Sequence, residues 1–366
     1  MHDLSMQMQG VVAHTQSHAF MRILVTGGAG FIGSNFVRHL LGSSPGEMGM
    51  LVEKVVNLDK LTYAGNRESL ADVEDDPRHV FAEGCIGDTA LIGKLLHEHR
   101  IDSIVHLAAE SHVDRSLDDA GDFINTNVLG TQRLLEAFYR YLGKCGRRDG
   151  RVCSMADGGS GVFLNVSTDE VYGSLDAGDA PFREDSPYAP NSPYSASKAA
   201  ADHMARAYFK SFAVPVITTH CSNNYGPFQF PEKVIPLFVT NLLDGKKVPL
   251  YGDGLNVRDW IHVLDNCAGV DTVLRKGMIG EIYNIGGGNE TTNRELTSMV
   301  LSNMGVGEEM VEYVQDRLGH DRRYSIDCSK ANALGWKPSR DLDVAVAETV
   351  EWYRANRAWW EPLKAR

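Results

Sequence analysis

The chain has 366 residues, 43% hydrophobic and 23% charged, which excludes a wholly disordered or collagen-like polypeptide and suffices for one large or two closely joined domains. A formal net charge of −12 argues against nucleic acid or an anionic membrane as partner, because both select a basic face. The cysteines Cys85, Cys145, Cys153, Cys221, Cys267 and Cys328 form no CxxC pair, so no metal site is expected and the scattered thiols fit a reduced, cytoplasmic setting. No apolar run approaches the roughly 18 residues of a membrane span.

In chain order, residues 1–20 lack a basic start and a continuous apolar core and read as a disordered extension, with Met21 opening the fold. Apolar runs at Arg22–Thr26, Lys54–Leu58, His79–Ala82, Ser103–Leu107, Val162–Val166 and Val216–Thr219 show little alternation, as strands buried on both faces should. Helical patterns separate them; Ile124, Val128, Leu135, Phe138 and Leu142 make one apolar stripe. The expectation is an α/β chain: a Rossmann-type doubly wound parallel sheet over 21–222, and a smaller C-terminal mixed α/β substrate domain over 223–366 with some segments returning to the first. Gly42–Gly49 and Gly146–Gly161 read as surface insertions.

The first strand runs into Gly27-Gly28-Ala29-Gly30-Phe31-Ile32-Gly33, a GxxGxxG at the first strand-to-helix crossover. Gly27 permits a tight turn, Gly30 lets backbone amides approach a pyrophosphate, and Gly33 allows close helix–strand packing. Asp59 ends the second strand, where an acid accepts from a ribose and repels a 2′-phosphate, favouring NAD over NADP. It follows Gly33 by 26 residues rather than the usual ~20, and the Gly42–Gly49 insertion accounts for the excess.

Two further motifs carry chemistry. In Tyr194-Ser195-Ala196-Ser197-Lys198 the phenol and the ammonium stand one helical turn apart, after Ser192 as N-cap and Pro193 in the first turn. A nearby ammonium is expected to lower the phenol's pKa and make Tyr194 a usable base. The segment Ser167-Thr168-Asp169-Glu170-Val171-Tyr172-Gly173 follows the fifth strand and offers two adjacent carboxyls, which suits a reaction needing one acid and one base.

Together with the strings TGGAGFIGS, DKLTYAGNRESL, HLAAESHVDRS, STDEVYGS, NSPYSASKA, NNYGP, FPEKVIP and GHDRRY, these motifs resemble the extended short-chain dehydrogenase/reductase superfamily. Within it they resemble the dTDP-glucose 4,6-dehydratase family, over nearly all of Met21–Arg366. The resemblance implies internal oxidation, dehydration and reduction of a nucleotide-bound glucose to a 4-keto-6-deoxy sugar, with NAD as cofactor, in a homodimer built on helices near Ile124–Leu142 and Ser192–Lys210. It assigns Tyr194, Lys198, Thr168, Asp169 and Glu170 to catalysis. Beside the glycines, Asp59, Tyr194 and Lys198, it places Phe31, Ile32, Lys60, Thr62, Cys85, Ile86, Leu107, Ala108, Ala109, Thr126 and Asn224 against the dinucleotide. For the nucleotide sugar it implies Ser111, Thr168, Asn223, Lys233, Val234, Ile235, Pro236, Val248, Pro249 and Leu250, with Arg258 and Arg317 on the pyrophosphate and Asn293, His320 and Tyr324 on the same wall. The end, Trp359-Trp360-Glu361-Pro362, resembles family members that feed antibiotic deoxysugars.

Three departures stand out. Gly84-Cys85-Ile86 replaces the family's Gly-Asp-Ile, whose acid holds the adenine amine; Leu318 replaces a proline; and the Gly146–Gly161 insertion is atypical. The residues alone leave open a uridine or cytidine diphosphate substrate, a 4-epimerase that needs Tyr194 and Lys198 without the carboxyl pair, a decarboxylase that keeps one acid, and a non-catalytic dinucleotide sensor.

Overall fold

The computed structural model describes residues 20–42, 51–143 and 161–365; residues 1–19 and nearly all of both expected insertions lie outside the described residues. Phe20 already pairs with Leu51, so the first strand begins one residue before Met21. The strands in chain order are β1 (Phe20–Thr26), β2 (Leu51–Asp59), β3 (His79–Glu83), β4 (Ser103–His106), β5 (Val162–Thr168), β6 (Val216–Cys221), β7 (Asn223–Tyr225), β8 (Val248–Tyr251), β9 (Val257–His262), β10 (Ile282–Ile285), β11 (Glu290–Thr292) and β12 (Val311–Val314).

Seven strands form one sheet in the order β10-β6-β5-β4-β1-β2-β3, every pair parallel. This is the doubly wound order, reversing between β1 and β4. Both faces are covered, which is why the strands read as unbroken apolar runs. Along β1, Ile23 and Val25 pack with Phe36, Val37 and Leu40 of the helix Phe31–Gly42 and with Val270 and Val273 of the helix Val263–Lys276. Leu24 faces the opposite layer, with Leu134, Leu135 and Phe138 of the helix Thr131–Tyr141 and Tyr208 and Phe209 of the helix Pro193–Phe212.

The single stripe expected from Ile124 to Leu142 does not hold. Residues Ile124–Gly130 form a π-helical turn, which changes the angular phase, and Ile124 is 47% exposed while Leu135 and Phe138 are fully buried.

Beyond residue 223 the chain builds two small sheets, β11-β9-β7 and β12-β8, and a separate core in which helices Val234–Leu243, Asn293–Met304 and Leu342–Ala355 enclose Trp360. β10 returns to the large sheet beside β6. Because the seven strands are parallel, the segments following β1 to β5 all emerge on one edge, where ligands bind in such sheets. Among the described residues no helix is long and apolar enough to cross a membrane, and Cys85, Cys221, Cys267 and Cys328 are unpaired.

Candidate active site

A cleft of about 450 Å³ runs along that edge. Gly27 stands at φ +73°, donates to the Leu58 carbonyl at 2.9 Å and leaves only 2.6 Å between a would-be Cβ and the Ala108 nitrogen. A Cβ on Gly33 would run into the Gly27 carbonyl, whereas one on Gly30 would meet that carbonyl alone, at 3.2 Å. The loop is thus closed to side chains at its two ends and bare toward the cleft, at the start of a helix whose free amides favour an anion. A dinucleotide pyrophosphate fits that cradle.

Asp59 binds the loop as well as facing the cleft. Its Oδ2 accepts from the Ala29 amide at 2.9 Å and its Oδ1 from the Leu61 amide at 2.8 Å, and burial raises its pKa against those bonds. Each oxygen keeps a further lone pair for a ribose. Asp59→Asn turns an NH₂ toward one of the two amides. The expected result is dinucleotide affinity lower by about tenfold or more in a calorimetric titration, the worth of one charged hydrogen bond.

Gly27, Gly30, Phe31, Ile32, Gly33, Asp59, Lys60, Thr62, Cys85, Ile86, Leu107, Ala108, Ala109, Thr126, Tyr194 and Lys198 all line the cleft, joined by Ser111 and Lys233, whose Nζ donates to the Ser111 carbonyl at 2.8 Å. Asn224 does not line it: its Nδ2 turns back to the Ser222 carbonyl at 3.0 Å.

At the β5 end, Ser192 and Ser195 form a reciprocal capping box and Pro193 starts the helix that presents Tyr194. Lys198 is buried and donates to the Val166 carbonyl at 2.8 Å; burial lowers its pKa and Asp202, one turn on, raises it. The expected lowering of the Tyr194 pKa is not found. Burial and then the Glu170 charge push the phenol well above its ordinary value, and a hydrogen bond with Thr168 only partly offsets them. The Lys198 ammonium is engaged by a carbonyl instead.

Thr168 caps the turn, accepting from the Glu170 amide at 3.3 Å. The two carboxyls that follow sit in unlike fields. Asp169 is driven well above the carboxylate range by burial, by Glu170 and by Asp259, and its Oδ2 has no hydrogen-bond partner among the described residues. Glu170 is raised by burial, but Arg317, Arg258 and Lys233 all pull it down. Such unlike fields are what a pair with one acid and one base requires.

The raised Asp169 has a stability consequence. The folded chain holds a proton that the unfolded chain releases, so this contribution is complete below pH 3.8 and is lost as pH rises through the folded value. Asp169→Asn is therefore expected to melt higher than wild type at neutral pH, by about 1 °C per kcal/mol recovered, with the gap closing in acid. Calorimetry at two pH values reads it.

The remaining sugar-nucleotide positions lie beyond the cleft, in several orientations. Arg258 is 4% exposed, stacks 4.2 Å over the Tyr324 ring and donates to the Val257 and Asp321 carbonyls, while the Tyr324 hydroxyl donates to Asp321 at 2.6 Å. Arg317 approaches Asp114 at 3.4 Å and His320 Nδ1 lies 2.6 Å from Asp316. Asn223 Oδ1 is buried without a partner among the described residues, and Asn293 donates its backbone amide to Asn256. Val248, Leu250 and Ile235 are at most 3% exposed; β8 pairs with β12, and the helix Val234–Leu243 turns its apolar side inward. Val234 and Pro249 are half-buried, and Pro236 is buried.

Sequence reasoning missed Asp202, which accepts from Asn165 at 2.7 Å and Ser167 at 2.8 Å and lies 3.1 Å from His220, tying β5 to the helix Pro193–Phe212. Its spacing one turn after Lys198 was a usable signal. Arg133 and Glu232 in the cleft lining were missed too, and no local motif marks them.

The GDP-mannose 4,6 dehydratase family model matches residues 24–349. A dTDP-glucose 4,6-dehydratase from Streptomyces antibioticus is 53% identical over 94% of this chain and 96% of its own. The crystal structure of a dTDP-glucose 4,6-dehydratase from Streptomyces venezuelae, with NAD bound, is similar at TM-score 0.85 and 52% identity, covering 94% of this chain and 100% of that one. A UDP-glucose 4-epimerase from Thermotoga maritima shares the scaffold at TM-score 0.78 and 30% identity, covering 92% and 100%. At half-identity over nearly the whole length, with the doubly wound sheet and the cleft along its edge, the chain belongs to the dTDP-glucose 4,6-dehydratase family of the extended short-chain dehydrogenases/reductases.

Proposed function

We propose that the chain converts dTDP-glucose to dTDP-4-keto-6-deoxyglucose, a hydro-lyase reaction of deoxysugar biosynthesis, with NAD held in the cleft. The observation that carries this reading is the buried Asp169–Glu170 pair in unlike fields beside Tyr194. An epimerase on this scaffold needs the tyrosine but has no use for such a pair.

The glycine loop, Asp59 and the walls of the cleft would hold the dinucleotide. Bound NAD supplies a hydride acceptor for C4 and a donor for C6, so oxidation and reduction cancel and the net change is loss of water. Tyr194 takes the proton of the C4 hydroxyl, with Thr168 in hydrogen bond to the phenol and Lys198 supplying positive charge on the same helix. The new ketone acidifies C5–H, and Glu170 removes that proton. Asp169, kept protonated by burial, gives its proton to the departing C6 hydroxyl. Glu170 then returns a proton to C5. Arg317, Arg258 and Lys233, which already face Glu170, supply cations suited to a diphosphate.

We assign dinucleotide binding to residues 21–222 and nucleotide-sugar binding chiefly to 223–366, in a cytoplasmic homodimer. Ile124 at 47% and Phe212 at 39% exposure give the implied dimer helices apolar surface to cover. Light scattering reads the assembly. The activity test is incubation with thymidine, uridine and cytidine diphosphate glucoses. The 4-keto product, detected by its absorbance in alkali, is expected from the thymidine compound at kcat/KM at least tenfold above the others. A C4-inverted sugar without that product would overturn the reading.

A further inference from the structure

The helix Pro193–Phe212 meets β5 through residues spaced one turn apart. Tyr194, Lys198 and Asp202 recur every four residues and share one helix face. The first is hydrogen-bonded with Thr168, and the second donates to the Val166 carbonyl at 2.8 Å. Four helical residues and two strand residues both advance about 6–7 Å, so successive turns find alternate positions of the strand.

Asp202 secures this register. It is 4% exposed and lines no part of the cleft. Its two oxygens accept from the side chains of Asn165 at 2.7 Å and Ser167 at 2.8 Å, the residues on either side of Val166. Two acceptor oxygens serve both strand donors at once, which an amide of the same size cannot do. Beyond Asp202, His220 Nε2 of β6 lies 3.1 Å away and also 3.0 Å from the Tyr188 hydroxyl, with the Tyr172 hydroxyl 2.7 Å from Nδ1. Thr168, Asp169 and Glu170 follow the gripped residues directly, so the same contacts set where the phenol stands against both carboxyls.

Charge adds to geometry. Burial lowers the Lys198 pKa, and Asp202 is the largest influence raising it, ahead of Cys221. The other titratable groups facing Lys198 do not replace a carboxylate. Burial pushes the Cys221 thiol of β6 up to about 12 and drives His106 of β4 down to about 3, so both are neutral near pH 7. Around the phenol itself, Glu170 and Asp169 oppose ionisation. The Lys198 cation is what favours phenolate there.

Resting on the reaction proposed above, we propose that Asp202 is a positioning residue for C4 oxidation: it holds Tyr194 and Lys198 in register with the end of β5 and keeps a carboxylate one turn from the Lys198 ammonium. It touches neither sugar nor dinucleotide and acts through the lysine and the phenol.

The experiment measures steady-state turnover of dTDP-glucose, with and without deuterium at C4, across pH. Asp202→Asn keeps the volume and loses the charge. Its kcat is expected to fall about 10–100-fold, the worth of a hydrogen bond to a charged group, with KM unchanged. The isotope effect on kcat rises, because hydride transfer from C4 is the step that slows. Lys198 releases its proton at lower pH once the carboxylate is gone, so the alkaline limb of the kcat profile moves to lower pH. Asp202→Glu restores the charge in an overpacked site. It is expected to melt no higher than Asp202→Asn, yet to return the isotope effect and the alkaline limb toward wild type. Asn165→Ala, away from the cleft, removes one strand donor and is expected to raise the isotope effect to a smaller degree; it carries the test if Asp202→Asn does not fold. A wild-type isotope effect and pH profile in folded Asp202→Asn, or in Asn165→Ala where that variant stands in, overturns the inference. So do kinetics that follow melting temperature rather than charge across the variants. Absence of the 4-keto product from wild type overturns the dehydratase reading instead.

Discussion

Glu170→Gln is expected to stop the reaction after its first half. Given dTDP-glucose, the variant removes hydride from C4, because Tyr194 and its helix are untouched, and the near-ultraviolet absorbance of reduced nicotinamide rises and persists. Elimination then fails, since an amide cannot take the C5 proton. Turnover falls about 10²–10⁴-fold, the usual range for a lost general base. The pH profile supplies an independent reading. Under the proposed mechanism wild type works with Glu170 ionised and Asp169 protonated; burial raises both pKa values, Asp169 well above its ordinary range, while Arg317, Arg258 and Lys233 pull Glu170 back down. The working window therefore lies above the ordinary carboxylate range, bounded by Glu170 on the acid side and by Asp169 on the alkaline side. The residual activity of Glu170→Gln should lack the acid limb. Unchanged turnover would remove Glu170 from its role.

The contrast between these two neighbours shows what a sequence displays and what it hides. Gly27, Gly30 and Gly33 announce a turn because their roles depend on local spacing, and Asp59 is found by counting from them. The Tyr194–Lys198 spacing likewise follows from one helical turn. The pKa values of Asp169 and Glu170 depend on Arg258, Arg317 and Asp259, which reach the site only through tertiary packing. The same cause reversed the expectation for Tyr194, whose burial and acidic neighbours outweigh the lysine that motif logic emphasises. Local patterning also failed where the helical phase changes, at Ile124–Gly130. Arg133 belongs to no motif, and only the sheet order brings it to the same pocket as Cys85.

Tyr194→Phe should block the reaction one step earlier, and the same absorbance separates the two variants. The substitution keeps the ring, whose centroid lies 6.3 Å edge-on from that of Phe123, and removes the hydroxyl along with its hydrogen bond to Thr168. The fold should therefore survive, with a melting temperature within a few degrees of wild type. Dinucleotide affinity should change little, because the glycine loop and Asp59, to which the proposed function gives most of its polar contacts, are untouched. Turnover is expected to fall by about 10²–10⁴, with no reduced nicotinamide accumulating, since C4 is not oxidised while its hydroxyl proton has no acceptor. The phenol's raised pKa adds a check. In wild type the oxidation half-reaction should accelerate as pH rises toward that value, and in Tyr194→Phe this dependence should flatten. Reduced nicotinamide appearing in Tyr194→Phe at the wild-type rate would move the base elsewhere, and Thr168 and Glu170, the other polar groups at the phenol, would be the next to substitute.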